Sequence, residues 1–415
     1  MTATTRKLCR LCESINLELA LKLASTPIGD AYVSDAYKAQ ECYPVELFLC
    51  RDCGLSQLLY VLNPESVYGG YIYRTSDSLG LVEHFRKYAD SIIKTINPKA
   101  GSLAIDVGSN DGSLLRFFKK NGMKVLGIDP AGEIAHEATE SGVETIADFF
   151  TQKLAIKIKK IHGNASIITI NNAFANIDDI KDLANGIREL LAPDGVLVFE
   201  TGYFPDLLAK CIFDNIYHEH LSYFSVKPLK KFFESRGMEI IDAIRIPTKG
   251  GSIRCIVQFK NGPGKVADSV EHLVKIEDAQ GIHRAETIKA FGAKLEKIKR
   301  DLLKILHELK SKGNKIAGYG ASVGVTTVIY NFGLDNKILD FIVDDNPSRQ
   351  SLYSPGLHIP VFSPEELYRK KTGYAVILAW QYAEPIIKKH KAYLAQGGKF
   401  ITFLPEIRVI EKLKP

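Results

Sequence analysis

The chain has no run of five or more basic residues, although 54 lysines and arginines face 48 acidic residues. A net charge of +6 over 415 residues is mild, and the densest basic spot, Lys157, Lys159 and Lys160, has the look of a solvated helix face. Nucleic acid is therefore not an expected partner, while a basic pocket for a diphosphate stays open. No uninterrupted apolar stretch approaches the ~20 residues that cross a bilayer, and the opening MTATTRKLCRLC lacks the apolar stretch of a signal peptide. No membrane partner and a cytoplasmic location are the expectations. No low-complexity segment stands out, and 46% hydrophobic with 25% charged residues excludes a long disordered or fibrous chain. At roughly 150 residues per domain the length suggests two or three domains, with enough chain to bury a core without disulfides.

Seven cysteines make an odd count, and two Cys-x-x-Cys pairs do not look like a disulfide framework. They suit a reducing compartment and a metal. Cys9 with Cys12 and Cys50 with Cys53 can present four thiolates tetrahedrally to zinc. The turn at Asp52-Cys53-Gly54 points backbone amides at sulfur. Four thiolates leave no open coordination position, so a bound zinc would be structural. The competing reading is a reduced thiol pair or a redox motif. Cys42 lacks a second cysteine, and Cys211 and Cys255 read as buried thiols.

Residues 1–75 hold five of the cysteines, and Tyr68, Tyr71 and Tyr73 crowd the end of that stretch like a hinge. An α/β rhythm follows: a helix over 79–94, strands at 103–107, 125–128, 143–147, 167–170 and 196–200, and helices at 114–120, 131–141 and 179–191. Short strands alternating with helices predict a doubly wound sheet. Residues 229–236 read as a helix, and 238–246 with 252–259 as paired antiparallel strands. A charged helical region over 264–311 breaks near Gly281. A second α/β block begins at Lys315, with strands at 316–318, 338–343, 376–378 and 400–403.

The strand-to-helix turn Asp106-Val107-Gly108-Ser109-Asn110-Asp111-Gly112 is not a Gly-x-Gly-x-x-Gly dinucleotide fingerprint. Acidic and amide groups inside it suit a ligand with a cationic amino-acid end better than a pyrophosphate. Asp129, at the end of the next strand, is placed for two ribose hydroxyls. Asp148 and Phe149 are placed to bracket an adenine, and Asn171 lies at the end of a later strand. S-adenosylmethionine is the better cofactor reading, a nicotinamide cofactor the second, and an inert turn the third.

The densest polar cluster is Asp214-Asn215-Ile216-Tyr217-His218-Glu219-His220, followed by Tyr223. Histidine supplies a base with a pKa near neutral. His-x-His can bind metal, but the chain has no His-Glu-x-x-His here; local polar packing is the bland alternative. Glu200 and Tyr203, at another strand end, would share that pocket. Lys249-Gly250-Gly251-Ser252-Ile253-Arg254 reads equally as a hairpin turn and as a grip on a sugar or phosphate. Gly318-Tyr319-Gly320-Ala321-Ser322 and Asp344-Asp345-Asn346-Pro347 are similar to a Rossmann half-unit, and 354–360, with His358, forms a shaped loop. This block would contact a nucleotide or only buttress its neighbour.

Together these motifs resemble the nucleotide-sugar C-methyltransferase family, over nearly the whole chain. The four knuckle cysteines match its zinc ligands. Residues 106–112 look like its cofactor loop, Tyr217-His218-Glu219-His220 its Tyr-x-Glu-His segment, and Gly250-Gly251-Ser252-Ile253-Arg254 its downstream turn. Gly318-Tyr319-Gly320-Ala321 and Asp345-Asn346-Pro347 match its C-terminal block. Two places depart from the pattern: Asn176 stands where members often carry histidine, and Ala321-Ser322-Val323-Gly324-Val325-Thr326 replaces a run with lysine and asparagine.

The resemblance implies an α/β chain: a zinc-binding module (1–75), a Rossmann-like class I methyltransferase domain (76–262), a helical linker (263–311) and a Rossmann-like domain (312–415). It implies an S-adenosylmethionine-dependent enzyme with structural zinc, methylating C3 of a nucleotide-diphosphate 4-keto-deoxysugar in branched-chain sugar biosynthesis. A monomer is expected on family likeness only. His220 would be the base, with Tyr217 its competitor or oxyanion partner, Glu219 an orienting group and His218 a further member. Asp106, Gly108, Asn110, Asp111, Gly112, Asp129, Asp148, Phe149 and Asn171 would hold the cofactor. Asn176, Glu200, Tyr203, Tyr223, Ser252, Arg254, Tyr319, Asn346 and His358 would face substrate. An NAD-dependent nucleotide-sugar oxidoreductase or epimerase, and a zinc-containing scaffold without catalysis, are the other classes.

Overall fold

The strand Leu103–Val107 is buried at every position, and the computed structural model places it inside a sheet covered on both faces. The structure describes residues 3–68, 74–77 and 80–412, so Tyr71 and Tyr73 lie outside the described residues. The chain forms two compact units, each assembled from separate stretches. The first comprises Met1–Glu18, Leu49–Pro205 and Leu221–Arg284; the second comprises Leu19–Phe48, Asp206–His220 and Ala285–Pro415.

The first unit carries seven strands: β1 (Leu103–Val107), β2 (Lys124–Ile128), β3 (Thr145–Ile146), β4 (Ala165–Asn171), β5 (Leu191–Gly202), β6 (Met238–Ile246) and β7 (Ser252–Phe259). Their order is β6-β7-β5-β4-β1-β2-β3, with β7 antiparallel to both neighbours and the remaining pairs parallel. Alternate residues feed two cores. Ile105, Ile168, Leu197 and Phe199 enter one; Ala104, Ile167, Val196 and Val198 enter the other. Helix α1 (Leu81–Ile96) covers the second core with Leu81, Phe85, Tyr88, Ala89 and Ile92, a stripe at helical spacing. Further helices are α2 (Ser113–Lys120), α3 (Gly132–Glu140), α4 (Gln152–His162), α5 (Ile180–Leu190), α6 (Val226–Glu234) and α7 (Asp268–Gln280). Lys157, Lys159 and Lys160 lie on the exposed side of α4. Glu277 of α7 is fully buried and accepts the Val226 and Lys227 N–H groups at 2.7 and 2.9 Å. A carboxylate thus caps the N-terminus of α6, where orphan donors and the helix dipole favour it.

The cysteine knuckles belong to the first core, which includes Cys9, Cys50, Cys53 and Leu55. All four Sγ atoms lie within 4.8 Å of one another, with Cys9–Cys53 and Cys12–Cys50 both at 3.5 Å. Zinc–sulfur bonds of about 2.3 Å in a tetrahedron need sulfurs about 3.8 Å apart, so the four thiols fit a zinc ion. Between two of these ligands sits Arg10, 1% exposed. Its guanidinium donates to Asp178 Oδ1 at 2.9 Å, to Leu58 O at 2.5 Å and to Leu221 O at 3.2 Å.

In the second unit β8 (Ile316–Tyr319), β9 (Phe341–Val343), β10 (Val361–Phe362), β11 (Tyr374–Ile377), β12 (Lys399–Thr402) and β13 (Arg408–Ile410) run in the order β10-β9-β8-β11-β12-β13, and only β13 is antiparallel to its neighbour. Helix α8 (Ala285–Ser311) buries Ile288, Phe291, Leu295, Ile298, Leu302 and Leu306 along one stripe. Helix α9 (Val323–Phe332) follows β8 and is buried nearly all round. The early segment joins this unit through Thr326 Oγ1, which donates to Gly29 O at 2.7 Å, and through the Ala24 N–H on Asn331 Oδ1 at 3.1 Å. The later segment joins it through Phe213, stacked on Phe332 with centroids 5.1 Å apart.

Zinc binding to such a site supplies on the order of 10 kcal/mol of apparent folding energy. Cys50→Ser should therefore lose the metal and melt well below the parent. Metal analysis of the purified protein with a thermal melt checks this, and an unchanged melting temperature in a metal-free protein would refute the structural role.

Candidate active site

In the first unit a cleft of about 340 Å³ opens at the carboxyl ends of β1, β2 and β4, where doubly wound sheets hold ligands. Asp106, Gly108, Asn110, Asp129, Asp148, Phe149, Asn171 and Asn176 all line it. Gly108 has φ +75°, and a Cβ there would stand 2.8 Å from Ala173 Cβ, so the turn depends on glycine. The Asn110 N–H donates to Asp129 Oδ2 at 2.8 Å, and the Ala131 N–H to Oδ1 at 2.9 Å, which fixes the Asp129 carboxylate at the cleft wall. Asn110 Oδ1 accepts the Thr75 N–H at 2.8 Å.

Asp111 and Gly112 do not line the cleft. Asp111 accepts the Ser113 and Ser76 N–H groups at 3.0 and 2.9 Å, which outweigh burial and hold its carboxyl below the usual value. Gly112, at φ +73°, packs against Val143 at the start of α2.

Six aspartates line the cleft against one lysine, Lys249: Asp106, Asp129, Asp148, Asp178, Asp179 and Asp182. That field suits a cationic sulfonium or ammonium group and opposes a pyrophosphate. Burial pushes the Asp106 carboxyl up to about 8, against a 2.6 Å hydrogen bond from Thr169 Oγ1. Among the described residues, both amide atoms of Asn171 and the Oδ1 of Asn176 are buried without a hydrogen-bond partner. Unpaired buried polar atoms are costly, so these facing groups fit a polar ligand. Together the charge and the free amides fit S-adenosylmethionine.

Glu200, Tyr203, Tyr223, Ser252 and Arg254 lie in the first unit but outside the cleft lining. Glu200, 1% exposed, accepts from His84 Nε2 at 2.9 Å, Thr248 Oγ1 at 2.8 Å and Arg254 Nη2 at 2.9 Å. Burial alone would raise its carboxyl; the His84 hydrogen bond and the Arg254 charge more than offset this and hold it low. Arg254 lies over the Tyr88 ring, 4.1 Å from its centroid. Tyr203 donates to Glu277 at 2.9 Å, and Ser252 Oγ to Thr248 O at 3.1 Å. Tyr223 sits in the short strand Ser222–Tyr223, paired with Ser56–Leu58. His84, Thr75 and Lys249 were not among the expected site residues. The one available signal for His84 is its position on the apolar face of α1, three residues after Leu81 and four before Tyr88.

The histidine-rich segment lies in the second unit. His220 Nδ1 is 2.9 Å from Asn215 O, which can only accept, so Nδ1 carries the proton. Nε2 is then a lone-pair acceptor, and Tyr217 OH donates to it at 3.0 Å. Burial pushes the Glu219 carboxyl up to about 7, and Asp30 adds to this. His218 is buried instead against Tyr43: Nε2 is 3.3 Å from Tyr43 O, the rings meet edge-on, and burial lowers its pKa. The second block's three expected residues are separately engaged. Tyr319 OH donates to Asp345 Oδ1 at 3.1 Å and also meets His390 Nε2 at 2.8 Å. Asn346 Oδ1 accepts from the Ser348 N–H at 3.0 Å, and His358 Nε2 donates to Lys38 O at 2.9 Å.

Family models match three stretches of the chain, which do not coincide with the two compact units. One described as "Putative zinc binding domain" matches residues 9–68, a methyltransferase domain matches 81–243, and a C-methyltransferase C-terminal domain matches 247–405. The C-methyltransferase NovU of Streptomyces niveus is 34% identical over 404 residues, which is 97% of this chain and 96% of NovU. Among solved structures, an S-adenosylmethionine-dependent methyltransferase from Clostridium acetobutylicum covers 45% of this chain and 94% of its own, at 13% identity and a TM-score of 0.36. The magnesium protoporphyrin IX methyltransferase of Synechocystis, with bound SAH, covers 48% and 92%, at 15% identity and a TM-score of 0.35. The chain is an S-adenosylmethionine-dependent methyltransferase with a zinc-binding domain that contains the four-cysteine cluster, and it belongs to the C-methyltransferase family.

Proposed function

We propose that the chain methylates C3 of a nucleotide-diphosphate-linked 4-keto-deoxysugar, on the way to a branched-chain sugar. The observation that carries this reading is the Tyr217–His220 pair, whose hydrogen bonds put the lone pair on His220 Nε2, facing the Tyr217 hydroxyl. A C4 ketone acidifies the proton on C3, and carbon methylation needs that proton removed. S-adenosylmethionine, when bound, supplies an electrophilic methyl group. His220 Nε2 takes the C3 proton, directly or through the Tyr217 oxygen, and Asn215 O stabilises the imidazolium that results. Tyr217 OH otherwise donates to the C4 oxygen as negative charge develops there. Glu219, close to half-protonated near neutral pH, holds a sugar hydroxyl.

In this reading Asn176 is the substrate-facing amide of the cleft, because its Oδ1 is unsatisfied there. Glu200 and Arg254 neutralise each other and serve as a wall. His218 stays outside the acid–base pair. The cleft's aspartates disfavour the nicotinamide oxidoreductase reading, and the oriented Tyr217–His220 pair disfavours a scaffold without catalysis.

Incubation with S-adenosylmethionine and a panel of nucleotide 4-keto-6-deoxysugars should add one methylene mass to one member, read by mass spectrometry. No gain in any member would overturn the substrate class. His220→Asn and Tyr217→Phe should slow both C3 deuterium washout and methyl transfer, by roughly 10²–10⁴-fold for the base. Near-normal exchange in both variants would remove the assignment. Asp129→Asn should weaken S-adenosylhomocysteine binding by about 10–100-fold, as expected for losing a charged acceptor. Isothermal titration measures it, and an unchanged affinity would place the ribose elsewhere.

A further inference from the structure

Gly324 sits inside a largely buried helix, and nothing in helix chemistry asks for glycine there. It is buried in the first turn of α9, where alanine would be the better helix former. Its reason lies across the contact. A Cβ at Gly324 would stand 2.7 Å from the backbone oxygen of Asp214 and 3.4 Å from Asp214 Cβ. A backbone carbonyl has no rotamer to escape into, so the chain at 214 would have to move. Three residues along the same helix face, Thr327 is 1% exposed, and its Oγ1 donates to Ile216 O at 3.3 Å. Phe213, one residue before, is stacked on Phe332 of the same helix.

Residues 213 and 216 are therefore each held by α9, and 214 lies close against it. The residue between, Asn215, offers the carbonyl that accepts from His220 Nδ1 at 2.9 Å. A carbonyl can only accept, so this contact puts the proton on Nδ1. We infer that Gly324 and Thr327 are positioning residues: they hold the backbone of 214–216 so that Asn215 O keeps His220 in the Nδ1–H tautomer, with the lone pair on Nε2. The inference deepens the proposed acid–base role of His220 and rests on it for its effect on turnover. Its geometric content, the tautomer, stands independently. Neither residue needs to touch substrate or cofactor. The same contact gives the run Ala321-Ser322-Val323-Gly324 a reason of its own: the small residue makes room for the chain that carries the base.

The test uses the full chain in Gly324→Ala, Thr327→Val and Thr327→Ser. Nitrogen NMR of labelled histidine, with the His220 signal assigned by its loss in His220→Asn, reads the tautomer directly. The parent should show Nδ1–H. Gly324→Ala and Thr327→Val should show a mixture, and Thr327→Ser, which keeps the hydroxyl, should restore the parent pattern. With the keto sugar that the panel identifies, kcat should fall about 100-fold in Gly324→Ala, the scale of a ~1 Å misplacement, with KM for S-adenosylmethionine within about twofold. A parent-like tautomer in both Gly324→Ala and Thr327→Val overturns the inference. So does a Thr327→Ser variant as impaired as Thr327→Val, which would mean packing alone. Should Gly324→Ala not fold, the Thr327 pair decides by itself. Should His220→Asn keep full turnover, the proposed catalytic role fails, while the tautomer shifts still decide whether α9 sets the ring.

Discussion

The first unit depends on one buried cation. Arg10 lies between two zinc-ligand cysteines, and a guanidinium removed from water is tolerated only if its donors are met. Burial lowers its pKa, with Asp178 opposing, to about 10, so it stays charged at neutral pH. It spends that charge on three distant stretches of chain: the Asp178 carboxylate, Leu58 O and Leu221 O. Asp178 lines the cofactor cleft. Leu221 follows His220 directly, and its own N–H donates to Ala175 O at 2.8 Å, beside Asn176. The zinc knuckle is therefore more than a staple for a small module. By fixing the backbone on both sides of Arg10, it sets where the cleft edge and the Leu221 carbonyl lie.

The cleft itself solves an electrostatic problem. Six aspartates around one ligand would repel each other if all were charged and unpaired. Several are tied to donors of their own. Asp178 pairs with Arg6 and Arg10, Asp179 caps α5, Asp182 accepts the Gln152 N–H, and Asp129 accepts two N–H groups. Asp106, the deepest, is instead raised to about 8 and is largely neutral near pH 7. A cationic ligand then meets an acidic surface that costs little to maintain when the cleft is open. The more buried Glu200 keeps its charge by a different route, through His84, Thr248 and Arg254.

Much of this was legible in the chain. Strands such as 103–107 and 167–170 are short apolar runs between turn residues, and burial on both faces makes such runs unmistakable. Two Cys-x-x-Cys knuckles announce their chemistry by spacing alone. The cleft residues Asp106, Gly108, Asn110 and Asp129 follow because carboxyl strand ends in doubly wound sheets face the ligand. Asp111 and Gly112 share that turn yet serve the start of α2, a distinction set by local hydrogen bonds that no spacing rule encodes. His84 is invisible for a related reason. Its partner Glu200 is 116 residues away, and only the sheet brings α1 over the end of β5. The membership of 19–48 and 206–220 in the second unit was equally hidden, since long-range packing such as Phe213 on Phe332 leaves no local pattern.

The segment that carries the proposed base shows what that hidden packing accomplishes. Preorganised catalysis requires reacting groups held to within about half an ångström by supports that do not themselves react. Here the backbone of 214–216 packs on α9 within the second unit, with Thr327 donating to Ile216 O and Gly324 making room for Asp214 O. These contacts are buried and act on backbone atoms, so they constrain the segment whatever side chains it carries. In the proposed reading Tyr217, Glu219 and His220 are then chosen for chemistry, because glycine and threonine of α9 support the chain that carries them. A family pattern written in the proposed catalytic residues alone would miss this division, and Gly324→Ala would look conservative while moving the proposed base.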